Sequence, residues 1–137
     1  MTIAHRPDAR LPDDVVSLLR GPNRGFVATV RPDGSAETTE TWWVDTDGTH
    51  VVINAVEGLQ EVHNVRRDPR ISVAVADAGR PDRYVSVRGR VVEVTPDGAD
   101  EHLDTLARRY LGGPYPGDRR RTRLILRIAP TAVHRGG

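Results

Sequence analysis

From Arg83 to Val94 the sequence alternates polar and apolar side chains along its length, with Val85, Val87, Val91 and Val92 as the apolar members. A period of two belongs to extended backbone with one face in a core. The stretch therefore predicts a long core strand, with a bend near Gly89, where no side chain resists one. The same period starts at Gly25 and runs through Val30 into Arg31-Pro-Asp-Gly34. Proline suits the second position of a tight turn, and glycine supplies a positive φ at its end. A hairpin follows, whose return strand spans Ser35 to Val44. Asp45-Thr-Asp-Gly48 then turns the chain into a third strand, Thr49 to Asn54.

Helical patterns interrupt this series three times. Leu11-Pro-Asp-Asp opens a short helix with Leu11, Val15, Leu18 and Leu19 on one face and Gly21 as its stop. Val56 to Val65 forms a second, ended by Asp68-Pro69 because a residue before proline avoids helical geometry. Asp97 to Leu111 forms the third. Strands at Ile71 to Ala76 and Arg123 to Ile128 complete the pattern. Six strands linked mostly as hairpins predict a mainly β fold, a six-stranded antiparallel barrel with peripheral helices. A chain of 137 residues reads as one domain over 1–137, with 1–10 as a flexible polar lead.

Composition sharpens what the chain can do. It has no cysteine, which removes disulfides, thiolate nucleophiles and cysteine-ligated metals. It also has no lysine, which removes Schiff-base chemistry, pyridoxal phosphate aldimines and the P-loop lysine. His5, His50, His63, His102 and His134 show no metal spacing, so no metal site is expected. The net charge of +1 gives no global field for nucleic acid or an anionic membrane. No apolar run reaches the roughly 20 residues of a bilayer span. A cytoplasmic protein is expected.

Gly25-Phe-Val-Ala-Thr-Val-Arg-Pro-Asp-Gly34, Trp42-Trp43-Val-Asp-Thr-Asp-Gly48, His63-Asn-Val-Arg-Arg-Asp-Pro-Arg70 and Tyr84-Val-Ser-Val-Arg-Gly-Arg90 occur in an order and spacing that resemble one family. It is the flavin and deazaflavin split β-barrel family related to pyridoxamine 5'-phosphate oxidase, and the resemblance covers roughly residues 11 to 134. It implies a six-stranded split β-barrel, a homodimer, and a groove for coenzyme F420 or flavin mononucleotide (FMN). The ring of such a cofactor carries the hydride, so the protein needs no catalytic triad. The resemblance also implies the candidate cofactor-binding residues Trp42, Asn54, Ala55, Gln60, His63, Asn64 and Arg67. Many relatives place an arginine, a lysine and an arginine at the positions occupied here by Leu59, Glu61 and His63. An acidic side chain there repels a phosphate.

The residues themselves leave alternatives open. Adjacent on a strand, Trp42 and Trp43 point to opposite faces, so one suits the core and the other a pocket or dimer interface. Arg119, Arg120, Arg121 and Arg123 either form a solvated loop or hold an anion. The expected function is an oxidoreductase that transfers a hydride between coenzyme F420 or FMN and a small conjugated substrate. The alternative is a non-catalytic split-barrel protein that sequesters a small hydrophobic ligand. A nucleic-acid module built on the arginine run is the third reading, and nucleic acid is not an expected partner.

Overall fold

In the computed structural model, which describes residues 1–41 and 43–137, the long valine strand lies between two antiparallel neighbours. Along the chain the elements are β1 (Thr2–Ala4), α1 (Asp13–Arg20), β2 (Gly25–Val30), β3 (Ala36–Thr41), β4 (Val44–Thr46) and β5 (Val51–Val56). Then follow α2 (Gln60–Arg67), β6 (Arg70–Ala76), β7 (Tyr84–Thr95), α3 (Ala99–Leu111) and β8 (Arg123–Gly136). The strands form one antiparallel sheet in the order β3-β2-β6-β7-β8-β5-β4, with β1 on β8. The sheet curls around a single main core as a split β-barrel.

Alternation places Val27, Val73, Val85, Val87 and Val133 on the inner face, in one core cluster with Leu11 and with Val15 and Leu19 of α1. Each such side chain contributes about 1.5–3 kcal/mol when fully buried. The opposite face of β5 and β8 packs Val52 and Ile125 against Ala99 of α3. This second contact brings α3 over the end of the sheet where the candidate site forms.

The described residues contain eight strands, where six are expected. The return strand read over Ser35 to Val44 is divided into β3 and β4. Asp45, read as a turn residue, lies inside β4 opposite Val52. The turn is instead built by Asp47, whose Oδ1 accepts the N–H groups of Thr49 and His50. The eighth strand comes from the expected lead: Thr2 pairs with His134, and Thr2 Oγ1 meets His134 Nδ1 at 2.8 Å. It forms because β8 runs on past Ile128 to Gly136 and offers an edge.

Two other boundaries shift for local reasons. Val56 stays in β5, opposite Arg123, and α2 starts only at Gln60 after a turn at Gly58. The register of β7 on β8 shifts between Arg88 and Gly89. A Cβ at Gly89 would run into the Ala129 carbonyl, so only glycine permits this close approach of the two strands.

Candidate ligand-binding site

A cavity of about 350 Å³ opens where β2, β3, β5, α2 and β8 converge. Val27, Ile53, Val65, Ile71 and Leu126 give it an apolar wall, and Thr29, Thr39 and Thr41 contribute polar positions. Trp43 also lines it, and its ring packs on Tyr110 and Tyr115 at centroid distances of 5.5 and 6.0 Å. Burial pushes the Tyr110 phenol up to about 12, and its hydroxyl donates to the Asn23 carbonyl at 2.9 Å. The tyrosine is thus a neutral prop for the indole. The ionisable groups of the wall are Glu40, Glu61 and Arg123.

Behind the wall runs a connected set of buried polar side chains. Asn54, 2% exposed on β5, donates from Nδ2 to the Ala99 carbonyl at 2.9 Å and faces His102 Nδ1 at 3.3 Å. Its Oδ1 accepts from Arg123 Nε at 2.8 Å. On the far side, His102 Nε2 meets Asp45 Oδ2 at 3.0 Å, and Arg109 Nη1 donates to Asp45 Oδ1 at 2.7 Å. Burial raises the pKa of Asp45, but the hydrogen bonds from His102 and Arg109 and the Thr46 N–H outweigh it and hold the carboxyl below its ordinary range. The set ties α3 to β4, β5 and β8, so the cavity wall is stiffened from behind.

The residues singled out in the sequence divide into two groups. Asn54 and Ala55 line the cavity, as do Leu59 and Glu61. Gln60, His63, Asn64 and Arg67 do not line it. Gln60 and His63 are exposed. Asn64 is fully buried and donates from Nδ2 to Thr29 Oγ1 at 3.0 Å and Glu37 Oε1 at 3.2 Å. Its Oδ1 accepts from Gln60 Nε2 at 2.9 Å. Arg67 donates to the Val30 carbonyl. Asn64 and Arg67 therefore fasten α2 onto β2 and β3. Trp42 lies outside the described residues.

Three features of the cavity and of the polar set behind it escape a reading by motif. Trp43 was one of two equivalent indoles, Asp45 and His102 come from distant segments, and Arg123 was one member of an arginine run. The signal in the sequence is the adjacent tryptophan pair, which calls for one indole in a pocket or interface without saying which.

The sequence model of pyridoxamine 5'-phosphate oxidase matches residues 11–135. The chain belongs to the pyridoxamine 5'-phosphate oxidase family. Among solved structures of this fold, an F420 reductase is similar at 32% identity over 90% of this chain and 98% of that one, with a TM-score of 0.78. A conserved hypothetical protein of Mycobacterium tuberculosis is 25% identical over 98% of this chain and 89% of its own, with a TM-score of 0.73. General Stress Protein 26 of Bacillus anthracis, 14% identical over 90% and 92% with a TM-score of 0.68, shares the fold. No curated protein matches the sequence.

Proposed function

We propose that this chain is an oxidoreductase that transfers a hydride between coenzyme F420, with FMN as the alternative, and a small conjugated organic substrate. The likeness to an F420 reductase along nearly the whole of both chains carries this reading. The cavity fits such a group in kind: an apolar wall with one indole suits a flat ring, and a buried cation suits an anionic arm. When bound, the ring supplies the hydride chemistry. The chain's part is to orient the ring against Trp43 and the β5 wall, to exclude water with Ile53, Val65 and Leu126, and to set local charge through Glu61 and Arg123.

A second reading rests on Glu61. It lines the cavity at a position where relatives offer a cation, which favours a binding protein that has lost cofactor affinity and holds another small hydrophobic ligand. A nucleic-acid role gains no support, since Arg119 and Arg120 pair with Asp104 and Asp118. Adding coenzyme F420 or FMN separates the first two readings. Saturable quenching of indole fluorescence is expected for the oxidoreductase, and no change with either compound would discard it.

The homodimer belongs to the same proposal. Phe26 and Tyr84 are 49% and 37% exposed, and strand register sets them on one sheet face with Ala74, Ser86 and His134. Small residues flanking exposed aromatics make a surface a second copy can cover. No helix among the described residues is long and apolar enough to cross a membrane, and we propose a cytoplasmic location.

A further inference from the structure

Four arginines lie between positions 119 and 123, and the fold sends them to different places. Arg119 pairs with Asp104 at 2.6 Å, Arg120 pairs with Asp118 at 3.1 Å, and Arg121 is exposed. Arg123 opens β8 opposite Val56 and is only 8% exposed. It lines the cavity and has no carboxylate within ion-pair distance among the described residues. It touches neutral groups: Nε on Asn54 Oδ1 at 2.8 Å, and the guanidinium carbon 5.7 Å from the Tyr115 ring centroid. Burial pulls its pKa below the usual guanidinium value, and the more distant Asp100 carboxylate only partly offsets the loss of water.

A guanidinium in that position is unfavourable unless something else supplies the negative charge. Glu40 and Glu61 share the cavity wall with it, but among the described residues no carboxylate pairs with it directly, and its hydrogen bond orients it. Asn54 cannot turn its amide over, because Nδ2 is committed to the Ala99 carbonyl and faces His102 Nδ1, whose ring is held in turn by Asp45. Oδ1 therefore stays on Arg123 Nε, and the two terminal nitrogens remain available to the cavity. A planar fork with two parallel N–H groups matches the oxygens of a phosphate or carboxylate.

We propose that Arg123 is the anion anchor of the cavity, binding the phosphate or carboxylate arm of the ligand in place of the cations absent at Leu59 and Glu61. The inference takes its ligand ring from the flavin or deazaflavin reading above, but its charge argument is independent of that reading. Asn54 is a positioning residue, acting through Arg123.

The test compares FMN with riboflavin, which has the same ring and no phosphate, by indole fluorescence quenching at fixed salt. The wild type is expected to bind FMN at least tenfold more tightly, and Arg123→Met is expected to bring the ratio close to one. Arg123→Lys should keep part of the preference. Asn54→Asp keeps the arginine but sets a carboxylate against it, and the ratio should collapse there too, which decides the matter if Arg123→Met fails to fold by circular dichroism. Equal affinities in the wild type, or a ratio unchanged in the variants, would overturn the inference and leave the flavin reading standing. If neither flavin nor coenzyme F420 binds, inorganic phosphate is the probe. A rise in melting temperature with phosphate that is lost in Asn54→Asp and Arg123→Met keeps the anchor and discards the cofactor; no rise discards both.

Discussion

His102 and Asp45 meet at 3.0 Å across α3 and β4, and the contact sets which imidazole nitrogen carries the proton. Nε2 donates to the carboxylate, so Nδ1 is left to accept from Asn54. Donor and acceptor roles along the set then follow without a free choice from Arg109 to Arg123.

Asp45→Ala leaves Arg109 and His102 without their acceptor. Breaking a buried pair destabilises by about 3 kcal/mol at the low end of its range, and the low end applies because the Arg109 side chain is 32% exposed. The pH dependence has a definite sign. The Asp45 carboxyl is depressed in the folded protein, so the unfolded chain binds more protons and stability rises with pH. The contribution is present above about pH 4, the ordinary carboxylate value, and is lost as pH falls through the depressed one. Urea midpoints of wild type and Asp45→Asn should converge as pH is lowered below 4; a constant difference would deny Asp45 this role.

Gly34 has φ of +87° at the end of the β2–β3 turn, and an added Cβ would meet nothing within 4 Å. Any loss of stability in Gly34→Val is therefore backbone strain alone. A β-branched residue held at positive φ should cost roughly 1–3 kcal/mol. Chemical denaturation measures it directly, and an unchanged midpoint would mean that the turn relaxes to another type.

Glu61 lies in the first turn of α2 and lines the cavity. A unit charge about 6 Å from a phosphate contributes roughly 3 kcal/mol at an effective dielectric near 20, and less where solvent screens it. Glu61→Lys should tighten FMN or coenzyme F420 at least about tenfold, with the gain shrinking as salt is raised. Equal dissociation constants at low and high salt would show that the anionic arm lies beyond the reach of α2.

Phe26 should be a contact between two copies. Sedimentation of the wild type at micromolar concentration is expected to give twice the 15.1 kDa chain mass, and Phe26→Arg is expected to shift it toward the monomer. A wild-type monomer would remove the sheet face from consideration as an interface.

The strands were legible where alternation alone decides them, as in β2, β6 and β7, because burial of one face imposes a period of two on the side chains. β1 was not, since a polar segment becomes a strand only when an edge is free to receive it. The boundary of β5 was missed for a related reason: Val56 suits helix and strand equally, and its pairing with Arg123 decides between them. In the site, Asn54, Ala55, Leu59 and Glu61 were marked by the family resemblance, and all four line the cavity. Arg123 and Arg119 could not be told apart, because their difference in burial comes from partners on β5 and α3 rather than from anything adjacent in the chain.

β8 is the strand on which β1, β5 and β7 all close. During synthesis β4 and β5 emerge long before it, so β5 can be paired on one side only while α2, β6, β7 and α3 are still being made. Its six residues are all buried in the finished fold, and a bare apolar edge of that kind is where nascent chains join one another. The hazard therefore ends only when β8 pairs with β5, and a pause after β5 has emerged and before β8 does should increase aggregation of this protein more than a pause before β5.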